Sequence, residues 1–204
     1  MSLKNIYSNG QIPSKVLKPI DTGQLLEENA SYSYMRMKND AKKEGVIIDL
    51  TGKSSGYRIC GNKGDYAQGS SNGLFTQWYA WELYKSGKGN LASNPTTSKG
   101  CKSNHGWGIA IDVNRNAGAR DWIKKNGEKY GWWWSGGTFS KIEDWHFDYD
   151  KNRDTYLKEN PLILSGEYLN ITPKNAQLFK VSGFSLVFLS VVGFAYSLYY
   201  FSKK

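Results

Sequence analysis

The sequence predicts an α+β domain followed by a single C-terminal transmembrane helix. Strand-like segments near residues 46–50, 108–114 and 143–149 alternate with helical patterns, which is the order of a mixed rather than a layered α/β fold. Hydrophobic residues make up 39% of the 204 and aromatics 15%, enough to build a core and to exclude wholesale disorder. The chain then ends in a long uncharged stretch. Twenty-two glycines against five prolines follow no period, which excludes collagen-like and simple low-complexity architectures.

Taken in order, residues 1–20 read as an N-terminal extension. They contain no apolar run of seven and no small-residue cleavage site, so no secretory signal is expected. Asp21 to Glu44 reads as a helix capped by Asp21 or Thr22, with Ala30, Tyr34, Met37 and Ala41 recurring every three to four residues and Gly45 ending it. Val46-Ile-Ile-Asp-Leu50 follows as a short strand. A second helix is predicted over Leu74–Lys85, with Leu74, Trp78 and Trp81 near one face. Gly87–Lys102, rich in Gly, Ser, Asn and Thr, reads as a long loop, and a third helix is predicted over Ala119–Lys129. The domain is expected over residues 21–150. Residues 151–180, mixed in charge and carrying Pro161 and Pro173, read as a stalk. Val181 to Phe201 is 21 residues without a charge, long enough at about 1.5 Å per residue to cross a bilayer core. Lys180, Lys203 and Lys204 flank it, and Tyr196, Tyr199, Tyr200 and Phe201 form an aromatic belt.

The formal charge of +9 favours anionic partners: nucleic acid, anionic lipid or an acidic cell-wall polymer. Cys60 and Cys101 are too few for a disulfide-rich scaffold or a four-cysteine zinc module. They can form one bridge in an oxidising space, which the sequence alone leaves open.

The chain's two histidines each sit among other functional residue types. In Ser103-Asn-His105-Gly-Trp-Gly-Ile-Ala-Ile-Asp112-Val, Gly106 and Gly108 argue against a helix. From Gly108 the alternation is that of a strand, with Ile109, Ile111 and Val113 facing a core and Gly108, Ala110 and Asp112 facing away. An aspartate there needs a partner, because an unpaired buried charge is costly. In Glu143-Asp144-Trp145-His146-Phe147-Asp148-Tyr149, strand alternation places Asp144, His146 and Asp148 on one face. Two imidazoles and one carboxylate suit tetrahedral Zn²⁺, and three protein ligands leave one position for water, the pattern of a catalytic site. Glu143 or Asp144 then stands ready to accept that water's proton.

These residues resemble a known family. Ser103-x-His105-x-x-Gly108-x-Ala110-x-Asp112, followed by Glu143-x-Trp145-His146, is similar to the zinc D-alanyl-D-alanine carboxypeptidases and L-alanyl-D-glutamate endopeptidases of peptidoglycan. Ser55-Gly-Tyr57-Arg58 resembles that family's Tyr-Arg element, and Asn104-His-Gly-Trp-Gly108 and Gly136-Gly-Thr-Phe139 resemble its phage-type members. The resemblance covers roughly residues 20–150. It implies a small domain whose antiparallel sheet bears one Zn²⁺ held by His105, Asp112 and His146. Glu143 would be general base and then general acid, and Arg58 would hold an oxyanion or a substrate carboxylate. Ser103, Tyr57, Gln77 and Trp145 would contact substrate. An insert between Arg58 and Gln77 makes Gln68 a rival for the glutamine, and Asp144 stands where many members have proline. A regular strand would turn Glu143 away from His146, so Glu143 must lie just before the strand or at a bulge; otherwise Asp144 is the fallback base. Trp132, Trp133 and Trp134 read as core and cleft wall.

The function expected is hydrolysis of peptidoglycan stem-peptide amides by a membrane-anchored lytic enzyme of a virus particle. The expected partners are bacterial peptidoglycan, a lipid bilayer and other virion proteins, with no nucleic acid. The alternative is a catalytically idle cell-wall-binding or structural membrane protein with the same pocket.

Overall fold

The apolar period ahead of Gly45 becomes helix α1 (Glu28–Lys43), in which Ala30, Tyr34, Met37 and Ala41 are wholly buried. It starts later than the sequence suggested. Glu27, not Asp21 or Thr22, is the cap, its carboxylate accepting from the Ala30 amide, and the residues before it form a small ladder of β1 (Lys18–Pro19) with β2 (Leu25–Leu26). A long side chain is an unusual cap, which hides it from a search for Ser, Thr, Asp or Asn. The computed structural model describes residues 3–52, 54–63, 76–96, 101–115 and 118–159, with the backbone of 179–181 and 184–186. The chain divides into two units, Met1–Pro161 and Leu162–Lys204.

In the first unit a three-stranded antiparallel sheet runs in the order β3 (Ala110–Asp112), β5 (His146–Tyr149), β4 (Trp132–Trp133). Asp112 lies opposite His146, Ile111 opposite Phe147, and Ala110 opposite Asp148. Ile111, Phe147 and Trp132 have no exposure and, with Tyr34, Leu26 and Met37, are among the largest fully buried side chains; Tyr34 meets Trp132 edge-on. The expected strand at 46–50 is reduced to one bridge, Leu50 with Val113; Ile48 is buried but Ile47 faces solvent. Helix α2 (Gln77–Lys85) is capped by Thr76, whose hydroxyl accepts from the Tyr79 amide at 2.9 Å. Helix α3 (Ala119–Asn126) passes into a 3-10 turn, Gly127–Tyr130, over the last residues of the predicted helix.

Both ends of the predicted domain move outward. Ile12, Leu17 and Ile20 are core residues, so the N-terminal segment read as an extension is part of the fold. Residues 151–159, read as the beginning of a stalk, are packed as well. Helix α4 (Thr155–Glu159) buries Leu157, and fully buried Asp154 takes the Arg36 guanidinium at 2.6 Å and the Tyr149 hydroxyl at 3.1 Å. Charge-rich composition concealed this, because the charges are paired across the chain.

In the second unit β6 (Phe179–Val181) pairs antiparallel with β7 (Phe184–Leu186), Val181 opposite Phe184. This corrects the expected transmembrane helix at Val181 and 184–186. An apolar run has no period to separate helix from strand, and Val and Phe pack readily in strands. The rest of that span lies outside the described residues, and among the described residues no helix is long and apolar enough to cross a membrane.

Cys60 and Cys101 are bonded, 41 residues apart in sequence. Closing a loop of that length removes denatured-state entropy worth about 4 kcal/mol in the chain-entropy picture. Reducing the bridge, or replacing both cysteines by alanine, should therefore lower the melting temperature markedly. A melting curve with and without reductant measures it, and coincident curves would show that the bridge carries no stability.

Candidate metal centre

The site grows from the ladder between β3 and β5. Because Asp112 and His146 are directly opposed, their side chains rise from the sheet together. His105 arrives from the 3-10 turn Asn104–Trp107, which ends at Gly108 in the left-handed region (φ 68°). A Cβ at Gly108 would lie 2.7 Å from the Glu27 amide nitrogen, where Glu27 N–H donates to the Gly108 carbonyl at 2.8 Å. Both facts require glycine, so the glycine of the first motif is the joint that turns His105 back over Asp112.

Ligand atoms of His105, Asp112 and His146 all lie within 4.8 Å of one another, and all three residues are buried. His105 Nε2 is 3.2 Å and His146 Nδ1 3.0 Å from the same oxygen, Asp112 Oδ1. The other ring nitrogens are engaged elsewhere, His105 Nδ1 with the Gly56 carbonyl at 2.8 Å and His146 Nε2 with Asp148 at 3.1 Å. One nitrogen of each ring is thus left to converge on the carboxylate. This donor set of two imidazoles and a carboxylate fits one zinc ion.

The second motif's geometry explains the carboxylates around it. Strand β5 begins only at His146, so Glu143 lies in the turn before it, as reaching the site requires. Glu143 Oε2 is 3.9 Å from His146 Nδ1. Three contacts hold its backbone: Trp134 Nε1 donates to the Glu143 carbonyl at 3.0 Å, His146 N–H donates to the same carbonyl at 3.2 Å, and Glu143 N–H donates to the Gly136 carbonyl at 3.1 Å. A Cβ on Gly136 would sit 2.0 Å from the Glu143 carbonyl oxygen. The Gly136–Phe139 run therefore seats Glu143, a role that its early position in the motif order did not reveal. Asp144, expected on the His146 face and as the fallback base, points away. It pairs with Arg120 at 3.0 Å and Lys124 at 2.5 Å on α3, and those partners hold it below the usual carboxylate range.

Arg58 is nearly buried. Its Nη2 donates to Asp112 Oδ2 at 2.6 Å and its Nε to the Ser54 carbonyl, so it fixes the carboxylate whose other oxygen faces the histidines. Gln77 stands behind Arg58, its Oε1 3.5 Å from Nη1 and its Nε2 donating to the Ser93 carbonyl at 2.8 Å. It braces Arg58 and the following loop and does not line the cleft; Gln68 lies outside the described residues. Tyr57 is corrected from substrate contact to core: it is 2% exposed, and its hydroxyl both donates to and accepts from the Ile12 backbone. Trp145, also read as a substrate contact, is half-buried beside β3, where its carbonyl accepts from Val113, and it does not line the cleft. Ser103 does line it.

A cleft of about 220 Å³ opens onto the three ligands and Glu143, with Ser93, Lys102 and Phe139 around it. From the protein groups alone, burial, opposed by His146, pushes the Glu143 carboxyl up to about 7. Burial and the Arg58 cation push His105 down to about 4. Asp112 stays well below the usual range despite its burial, held there by the histidines and Arg58.

Among solved structures the chain resembles the vancomycin-resistance D,D-pentapeptidase VanY in complex with Zn(II), at 17% identity and TM-score 0.48 over 72% of this chain and 88% of that one. It also resembles the LdcB LD-carboxypeptidase, at 20% identity and TM-score 0.47 over 74% and 76%. A third is the D,D-dipeptidase VanXYg with a D-Ala-D-Ala phosphinate analogue, at 17% identity and TM-score 0.44 over 85% and 72%. No protein-family model matches the chain, and no curated protein matches it.

Proposed function

We propose that the protein is a zinc peptidase that hydrolyses stem-peptide amides of bacterial peptidoglycan, of the D-Ala-D-Ala carboxypeptidase or L-Ala-D-Glu endopeptidase type. The observation that carries this reading is the position of Glu143. A half-buried carboxyl with a raised pKa stands beside three converging ligand atoms and faces an open cleft. When bound, zinc supplies Lewis acidity at that point, acidifying water and polarising a carbonyl. Glu143 takes a proton from the attacking water and delivers it to the leaving amide nitrogen as the C–N bond breaks. Arg58 keeps Asp112 in place and also lines the cleft, where its cation can meet developing negative charge or a substrate carboxylate.

The uncharged composition of residues 181–201 supports attachment to a membrane, and the lytic chemistry supports a role for the protein in a virus particle that must breach a cell wall. Incubating the full chain with purified peptidoglycan and sequencing released muropeptides by mass spectrometry tests the activity. New termini within the stem peptide identify the bond. Intact walls that retain bound, zinc-loaded protein would replace this reading with the idle binding protein.

Gly136→Ala gives a finer test of the seat beneath Glu143. The added methyl must displace the Glu143 carbonyl. Displacement of a reacting group by about 1 Å costs on the order of a hundredfold in rate. Zinc content should be unchanged while peptide release falls; equal rates would show that the turn relaxes without moving Glu143.

A further inference from the structure

The two imidazoles are held by different kinds of partner. His105 donates its Nδ1 proton to a neutral backbone carbonyl, that of Gly56. His146 has its Nε2 against the carboxylate of Asp148, two residues along the same strand and therefore on the same face. Asp148 is 6% exposed, stands opposite the small Ala110, and does not line the cleft, so it is out of reach of substrate. Its second oxygen accepts from Asn104 Nδ2 at 2.7 Å.

We propose that Asp148, braced by Asn104, is a positioning residue that fixes His146 as the Nε2–H tautomer and thereby sets the affinity of the site for zinc. This rests on the zinc reading above. An ionised carboxylate can only accept hydrogen bonds, so the ring nitrogen facing it must carry the proton. A neutral imidazole has one such proton, and Nδ1 is then left with its lone pair toward Asp112 and the metal position. A carboxylate partner also makes the ring a stronger donor to a metal than a carbonyl partner does. Asn104 belongs to the same turn that carries His105. One four-residue turn thus supplies the first histidine ligand directly and orients the second through Asp148, tying the two sequence motifs together by side chains as well as by the ladder.

The test uses the full chain and three variants, Asp148→Ala, Asp148→Asn and Asn104→Ala, with zinc dissociation constants measured by chelator competition. Loss of an orienting carboxylate is expected to weaken zinc binding about 10–100-fold in Asp148→Ala. Asp148→Asn should lose less, because its carboxamide oxygen still accepts the Nε2 proton, and Asn104→Ala should fall between it and the unmodified chain. A second readout is spectroscopic. In the zinc-loaded, ¹⁵N-histidine-labelled chain, His146 should show an exchange-protected Nε2–H signal that is lost in Asp148→Ala, which a merely structural role would not require. Zinc affinity within about twofold of the unmodified chain in Asp148→Ala would overturn the proposal. If that variant does not fold, unchanged affinity in both Asp148→Asn and Asn104→Ala overturns it instead. Failure of the peptidase reading looks different: zinc bound with the expected dependence on Asp148, but no peptide released from the wall.

Discussion

Glu143→Gln should keep its zinc and lose hydrolysis by at least about a hundredfold, the usual contribution of a positioned proton acceptor. The substitution preserves shape, and the backbone seat made by Gly136 and Trp134 does not involve the side chain, so the glutamine should occupy the same place. The pH dependence follows from the same group. Glu143 accepts a proton only when ionised, and burial pushes its carboxyl up to about 7 from the protein groups alone. Activity should therefore rise with pH, with a limb at or below about 7, since a bound dication pulls the carboxyl downward. The check is the profile of kcat/KM against pH in the two proteins. An unchanged limb in Glu143→Gln would assign it to another group, and undiminished activity would remove Glu143 from the reaction.

His105→Ala or His146→Ala should abolish stoichiometric zinc, expected at about one per chain for a three-ligand site of this type. Each histidine supplies one of only three convergent donors, and among the described residues no other such cluster stands near them. Elemental analysis of purified protein, together with a melting curve to establish folding, measures the loss. Full zinc content in the double variant would place the metal elsewhere and sink the assignment.

The site was legible in the sequence because its chemistry is local. His105 and Asp112 lie seven residues apart on a turn that runs into a strand, and Glu143 precedes His146 by three, so short-range spacing encodes most of the arrangement. Helix α1 was legible for the same reason, since its apolar period is intact from Ala30 to Ala41. What escaped was set by distant pairing. Tyr57 looked like a substrate contact beside Arg58 until its hydroxyl met the Ile12 backbone, 45 residues earlier. Asp144 looked equivalent to Asp148 by alternation. A turn before β5 sent it instead to the cations of α3, and no local signal marks where a strand begins. The N-terminal segment was misjudged because burial of Ile12, Leu17 and Ile20 depends on what they pack against, which spacing does not record.

The bridge between Cys60 and Cys101 separates two kinds of change that evolution or an engineer can make. The donors and the proton acceptor all lie outside the span it closes, on the sheet and the turns leading into it. Inside lie Ser93 and its neighbours at the edge of the cleft, and among the described residues Gln77 ties that segment back to Arg58. Lengthening a closed loop is cheap, about 0.6 kcal/mol for each doubling. The interval from 61 to 100 can therefore behave as an exchangeable cassette, clipped covalently at both ends. Exchanging the part of it around Ser93 would reshape the edge of the cleft while leaving His105, Asp112, Glu143 and His146 in place, provided Gln77 is kept as the brace of Arg58.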